Sequence, residues 1–181
     1  MKKTLIALGS ALVAVCAAPV WAQDIVDPKE PNVAITHDKF PDLIDKAIAD
    51  QDFIKARRIV EEGLKRNPLS VQMLFQRAVI YEGLGETARA QAAFEAFVAR
   101  YPEIAEPYNN LAVIYSSQGE LEKAHDMLSR ALSIRPDFAV AWANMGNLYL
   151  VRAKQAYQNA KRYGAASVEP KLDAVNRLLK Q

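Results

Sequence analysis

Residues 106–136 read "EPYNNLAVIYSSQGELEKAHDMLSRALSIRP". Tyr108, Leu111, Ala112 and Tyr115 recur at i, i+3, i+4 and i+7. That spacing gathers apolar side chains on one face of an α-helix. Gln118-Gly119-Glu120 then supplies a turn, because glycine adopts backbone angles closed to other residues. Leu121, Ala124, Leu128 and Ala131 form a second helical stripe, and Pro136 closes the segment. Proline lacks an amide N–H and pushes the residue before it out of the helical region. The stretch therefore predicts two helices, each with one apolar face, returning antiparallel on each other.

Working outward, Pro68, Pro102, Pro136 and Pro170 stand 34 residues apart. A fixed period of this length is the mark of a repeat array. The preceding unit keeps the same pattern: Leu74, Arg77, Ala78 and Tyr81, a turn at Gly85, then Ala90, Phe94 and Pro102. Arg77 stands where leucine is expected, with its aliphatic stem able to pack. The first unit is weaker, with Phe40, Leu43 and Ala47, a turn at Asp50-Gln51-Asp52, then Ala56, Val60, Gly63 and Pro68. Ala78, Ala112 and Gly146 are read as the points where helices approach closely.

The pattern resembles the tetratricopeptide repeat (TPR), an antiparallel helix pair of 34 residues. The resemblance covers Asp38 to about Ala160. It implies an all-α fold, an α-solenoid of antiparallel helix pairs with units near 37–70, 71–104 and 105–138. Each unit alone leaves an apolar face open, so neighbours must stack.

A fourth unit begins at Trp142, Met145, Gly146 and Tyr149, and continues with Ala153, Tyr157 and Ala160. Tyr149 precedes Ala153 by four residues, whereas Tyr115 precedes Ala124 by nine. The turn is missing, so the hairpin is read as fused into one helix over 139–163, about 37 Å long. Gly164 is its expected C-cap. Leu172, Val175, Leu178 and Leu179 predict a short amphipathic helix over 170–180 that folds back as a cap. The whole TPR domain spans 37–181.

The N-terminus has the three parts of a secretory signal peptide: Lys2 and Lys3, an apolar run from Leu5 to Val15, and Val20-Trp21-Ala22 before a cut. Residues 1–22 are expected to leave, with cleavage after Ala22. The apolar run is short for a membrane span of about 20 residues, so no stable membrane insertion is expected. Cys16 follows Val15 rather than a small residue, which fits lipid attachment poorly, and it departs with the signal. The mature chain then has no cysteine, which excludes disulfides, thiolate nucleophiles and Cys-ligated metal. Its charge balances, because removing Lys2 and Lys3 leaves 21 basic residues against 21 acidic ones. Residues 23–36, with Pro28 and Pro31, read as a flexible lead-in.

Nothing points to catalysis. His37 and His125 are the only histidines and lie far apart in sequence, His125 on a helix and pointing partly outward. General acid–base work needs a positioned partner that neither has. No catalytic motif, phosphate loop, metal-ligand spacing or cofactor signature is present. An exported chain of balanced charge is not expected to meet nucleic acid.

Binding has more material. By the resemblance, the first helices of successive units line a groove that grips an extended peptide or a partner helix. The flanks opposite the core stripes supply Gln72, Phe75, Val79 and Glu82, then Glu106, Asn109, Asn110, Val113 and Ser116, then Asn144, Asn147 and Leu150. Phe75, Val79 and Val113 are expected as exposed apolar residues, the mark of an interaction site. Some relatives clamp a C-terminal carboxylate with lysines and asparagines. Asn110 and Asn144 suit that role, but Pro41, Asp45 and Val113 stand where the clamp wants Lys, Asn or Arg. The expectation is a non-enzymatic periplasmic scaffold for a protein partner in the cell envelope. The alternative is a self-assembling structural protein, a homodimer formed through the long C-terminal helix.

Overall fold

The computed structural model describes residues 39–180. The expected signal peptide, the lead-in and His37 lie outside the described residues. Every regular element among them is an α-helix: α1 (Phe40–Ala49), α2 (Phe53–Arg66), α3 (Val71–Gly83), α4 (Thr87–Arg100), α5 (Glu106–Ser117), α6 (Leu121–Ile134), α7 (Ala139–Arg162) and α8 (Glu169–Leu178).

The turn chemistry sets the antiparallel pairs. Gly85 and Gly119 have φ of 71° and 80°. The residue after each returns its N–H to a carbonyl five positions back, Glu86 to Tyr81 and Glu120 to Tyr115, both at 2.9 Å. This closes the orphan carbonyls at the helix end. Gln51 makes the same turn between α1 and α2 at φ 58°, with Asp52 N–H on Ala47 O at 2.9 Å. Asp52 then caps α2 by accepting from the Lys55 amide at 3.0 Å.

The prolines set the joints between units. Asn67, Tyr101 and Arg135 each precede a proline, and their φ values are −131°, −129° and −130° with ψ of 84°, 67° and 91°. Proline's clash with the preceding residue ends α2, α4 and α6 at the same geometry. Pro170 does the opposite and sits in the first turn of α8, where no N–H is required. It shares the spacing of the other three prolines but not their role.

The helices stack in the alternating order of a solenoid, each packing on its chain neighbours, with α1 against α3 and α5 against α7. One cluster of apolar residues joins α1, α2 and α3 through Ile44, Ala56, Val60, Met73 and Ile80. A larger one runs from α3 to α7 through Phe94, Leu111, Ala124, Leu128, Ala141 and Leu148. Val79 packs against both and ties them together. At Gly63 a Cβ would run into Met73 Sδ and the Phe40 ring, so only glycine lets α2 sit this close.

The fourth unit departs from a fused hairpin in one respect. Its turn is not lost but moved. Gly164 has φ 88°, and Ala165 returns its N–H to Ala160 O at 3.0 Å, the geometry found at Gly85 and Gly119. Gly119 stands four residues after Tyr115, whereas Gly164 stands fifteen after Tyr149. The extra eleven residues are about three helical turns, so the apolar face of α7 keeps its phase. α8 packs back along the second half of α7. Val168 and Val175 are buried, and Leu172, Leu179, Ala153, Tyr157 and Ala160 are half-buried. Leu178 stays exposed, against the expectation that it would help to cap.

The first half of α7 also differs from expectation. Its buried face is Ala141, Asn144, Met145 and Leu148. Trp142 and Tyr149, expected in the core, are each about half exposed. A Cβ on Gly146 would meet nothing within 4 Å, so no neighbouring helix requires its smallness. Ala78 and Ala112, by contrast, are both buried. Leu43 in α1 is likewise exposed rather than packed.

Candidate protein-binding face

The odd-numbered helices bring the expected site residues to one flank of the array, but not all of them to its surface. Against expectation, Phe75 is buried. Its ring lies 5.9 Å from that of Phe94 and 5.8 Å from that of Phe97, tilted or edge-on to each, between α3 and α4. The reason is one of helical phase: Phe75 follows Leu74 by about 100° and turns onto α4, the second helix of its own unit. Val79 is half-buried at the junction of the two core clusters.

The three asparagines are also inside. Asn109, Asn110 and Asn144 are all buried. Asn144 donates its Nδ2–H to Asn109 Oδ1 at 2.8 Å, across the joint between α5 and α7. Asn109 in turn donates to Asn110 Oδ1 at 3.4 Å. Buried amides need such partners, and here they stitch successive units. A carboxylate clamp is therefore not formed from Asn110 and Asn144, because their side chains are enclosed between helices.

An equivalent stitch, not evident from the sequence pattern alone, joins α1 to α3. Gln76 donates to Asp45 Oδ1 at 2.6 Å and to the Pro41 carbonyl at 3.0 Å. Gln72 donates to Asp45 Oδ2 at 3.4 Å. Burial raises the Asp45 carboxyl above its ordinary value, and the two amides oppose that rise. A signal for this stitch exists: Gln76 and Asn110 occupy equivalent positions, one turn before Val79 and Val113. Arg135 makes a third link, donating to buried Glu106 at 2.6 Å with its guanidinium 3.6 Å from the centre of the Phe138 ring. Glu106 is thus a joint residue, not the groove residue its place on the flank suggests.

What remains at the surface is a half-buried strip: Gln72, Val79 and Glu82 on α3, Val113 and Ser116 on α5, and Asn147 and Leu150 on α7. It mixes apolar side chains, amides and one carboxyl. Burial pushes the Glu82 carboxyl up to about 7, so this single acidic group is about half ionised near neutrality. Its chemistry suits an uncharged or extended segment better than an ionic ligand. His125 lies on α6, half-buried, with its ring 6.1 Å from that of Tyr149. Among the described residues no three His, Cys, Asp or Glu side chains are grouped to hold a metal, and no helix is long and apolar enough to cross a membrane.

Two family models match the chain, both described as tetratricopeptide repeats, over residues 72–103 and 105–138. These two segments are similar to tetratricopeptide repeats. No curated protein matches the sequence. Solved structures do match. A thermophilic TPR protein of Thermus thermophilus aligns with a TM-score of 0.60 at 23% identity, over 78% of this chain and 79% of that one. Two crystal structures of MamA align at 0.53 with 25% identity, over 74% of this chain and 78% of that one, and at 0.54 with 24% identity, over 78% and 86%. These likenesses carry the TPR solenoid fold. TPR units are in general protein-interaction scaffolds rather than catalysts.

Proposed function

We propose that the chain is a non-enzymatic scaffold of the bacterial cell envelope, exported to the periplasm, that holds a peptide or helix of an envelope protein along the strip on α3, α5 and α7. The observation that supports this reading most is the strip itself. Val79, Val113 and Leu150 stand partly exposed among Ser116, Asn147 and Gln72 on three successive first helices. Stacked repeats present such a surface at regular intervals, which matches an extended ligand. Export rests on the reading of residues 1–22 as a signal peptide.

The test is capture from an envelope extract by the wild-type chain and by Val113→Asp with Ser116→Arg. Both positions are partly accessible, so the fold is expected to survive. Loss of specific partners in the double variant supports the strip as the binding face. An unchanged set of captured proteins sinks it. Detection of the precursor, unprocessed, in the cytoplasmic fraction would remove the envelope assignment. Self-assembly through α7 is a second reading, favoured by the exposure of Trp142 and Tyr149.

A further inference from the structure

Tyr108, Ala112 and Tyr115 of α5 are 7%, 2% and 8% exposed, because α6 lies over them. Arg130 and Lys123 of α6 reach over the two tyrosine rings, at 6.0 Å and 5.2 Å. Trp142, Gly146 and Tyr149 occupy the equivalent positions of α7. They are open: Trp142 is 55% exposed, Tyr149 is 51% exposed, and Gly146 faces empty space. The shift of the turn to Gly164 explains why. α8 lies along the second half of α7 and leaves the first half without a second helix of its own unit.

Three features say what covers it. The first is shape. Gly146 is a hole with an aromatic knob one turn to either side, Trp142 before it and Tyr149 after it. Two such faces, crossed antiparallel at Gly146, set the two glycines opposite each other, where the backbones can approach, and bring Trp142 of each copy beside Tyr149 of the other, a self-complementary pairing about a two-fold axis. The second is charge. Residues 139–151, "AVAWANMGNLYLV", contain no Asp, Glu, Lys or Arg. In a two-fold contact each side chain near the axis meets its own copy, so a charge there would meet its like. Ala141, Asn144, Met145 and Leu148 of this stretch are buried, and the nine residues that are exposed or half-buried satisfy that requirement without a charge among them. The third is the glycine. Within a helix it is markedly less favourable than alanine, and nothing among the described residues uses its smallness.

We infer that the Trp142–Gly146–Tyr149 face of α7 is a homodimer contact, with a second copy of this chain crossing antiparallel at Gly146. This deepens the self-assembly reading and stands apart from the strip on the odd helices. The contact is small, at the low end of specific interfaces, under about 1,200 Å² in total. Dimerisation is therefore reversible and depends on concentration. α8 keeps its place on α7 in both states.

The test is sedimentation of the full mature chain between about 1 μM and about 1 mM, a range that spans weak association. Wild type is expected to move from the mass of one chain to that of two. Gly146→Leu fills the hole, and Ala143→Lys places like charges beside the axis at an exposed position. Both are expected to remain single chains throughout. Gly146→Leu should also raise the melting temperature, since leucine is the better helix former, and Ala143→Lys should leave it nearly unchanged. Equal dimerisation of wild type and both variants would overturn the inference. So would a wild-type chain that stays monomeric across the range.

Discussion

Trp142 donates its indole N–H to the carbonyl of Pro136 at 2.8 Å. One unit earlier, the Tyr108 hydroxyl reaches the carbonyl of Pro102 at 3.3 Å. The two aromatics thus hold the same place and the same tether to the proline that ends the preceding unit, yet one is covered by a second helix and the other is not. Burial should separate them energetically. Tyr108→Ala is expected to cost about 3 kcal/mol or more, the range for deleting a buried aromatic, and Trp142→Ala nearer to about 1 kcal/mol in the single chain. Urea unfolding at a concentration that keeps the chain monomeric checks this. Equal costs would mean that Trp142 is covered in solution.

Helical phase decides what is legible in the sequence. The 34-residue spacing, the apolar stripes of α3 to α6 and the turns at Gly85 and Gly119 are legible because each is a local pattern with one mechanism. The long α7 is legible because nothing between Tyr149 and Ala153 breaks a helix. The turn at Gly164 reads only as a C-cap, because where a returning helix lands depends on loop length and packing, not on local pattern. A face argument with one buried stripe per helix puts Phe75 and the three asparagines on the surface. A first helix in a stacked array has two buried sides, one toward its own partner and one toward the neighbouring unit. Asn109 and Asn144 lie on the second, and Phe75 lies against Phe94 and Phe97 of its own unit's α4.

Phe75 therefore belongs to stability. Phe75→Ala is expected to destabilise by about 3–5 kcal/mol, with loss of its ring contacts to Phe94 and Phe97. Any loss of partner capture by that variant should disappear at temperatures where it is still folded. Circular dichroism melting beside capture assays separates the two effects.

The Asn144–Asn109 bond predicts energetic coupling across a joint. Each single change to alanine leaves the other amide buried without its partner, at about 1–3 kcal/mol. The double change removes both, so its cost should fall short of the sum by about 1 kcal/mol. A double-mutant cycle in urea that closes additively would contradict the joint.

Gln51 turns with φ 58° where Gly85 and Gly119 do the same work without strain. Gln51→Gly is expected to stabilise the chain by up to about 1 kcal/mol, and Gly119→Ala to destabilise it by about the same. Denaturation midpoints read both signs directly.

Glu82 gives a pH signature of definite sign. Its carboxyl rises from 4.5 to about 7 on folding, through burial alone. Below the unfolded value it is protonated in both states and has no effect. As pH climbs through that value the unfolded chain ionises first, so stability is lost up to about pH 7 and then levels. The difference between wild type and Glu82→Gln should grow across this window by about 3 kcal/mol in favour of the variant. A difference that is flat with pH would show the carboxyl to be solvated.

Site-specific photocrosslinking in intact cells reads out whether a protein partner lies along the strip on the odd helices. A photoreactive side chain at Val113 lies in the strip, and one at Ser133, exposed on α6, lies on the even-numbered side. A discrete covalent adduct with another protein is expected from Val113 and none from Ser133. Adducts from Ser133 alone, or from neither position, would contradict it.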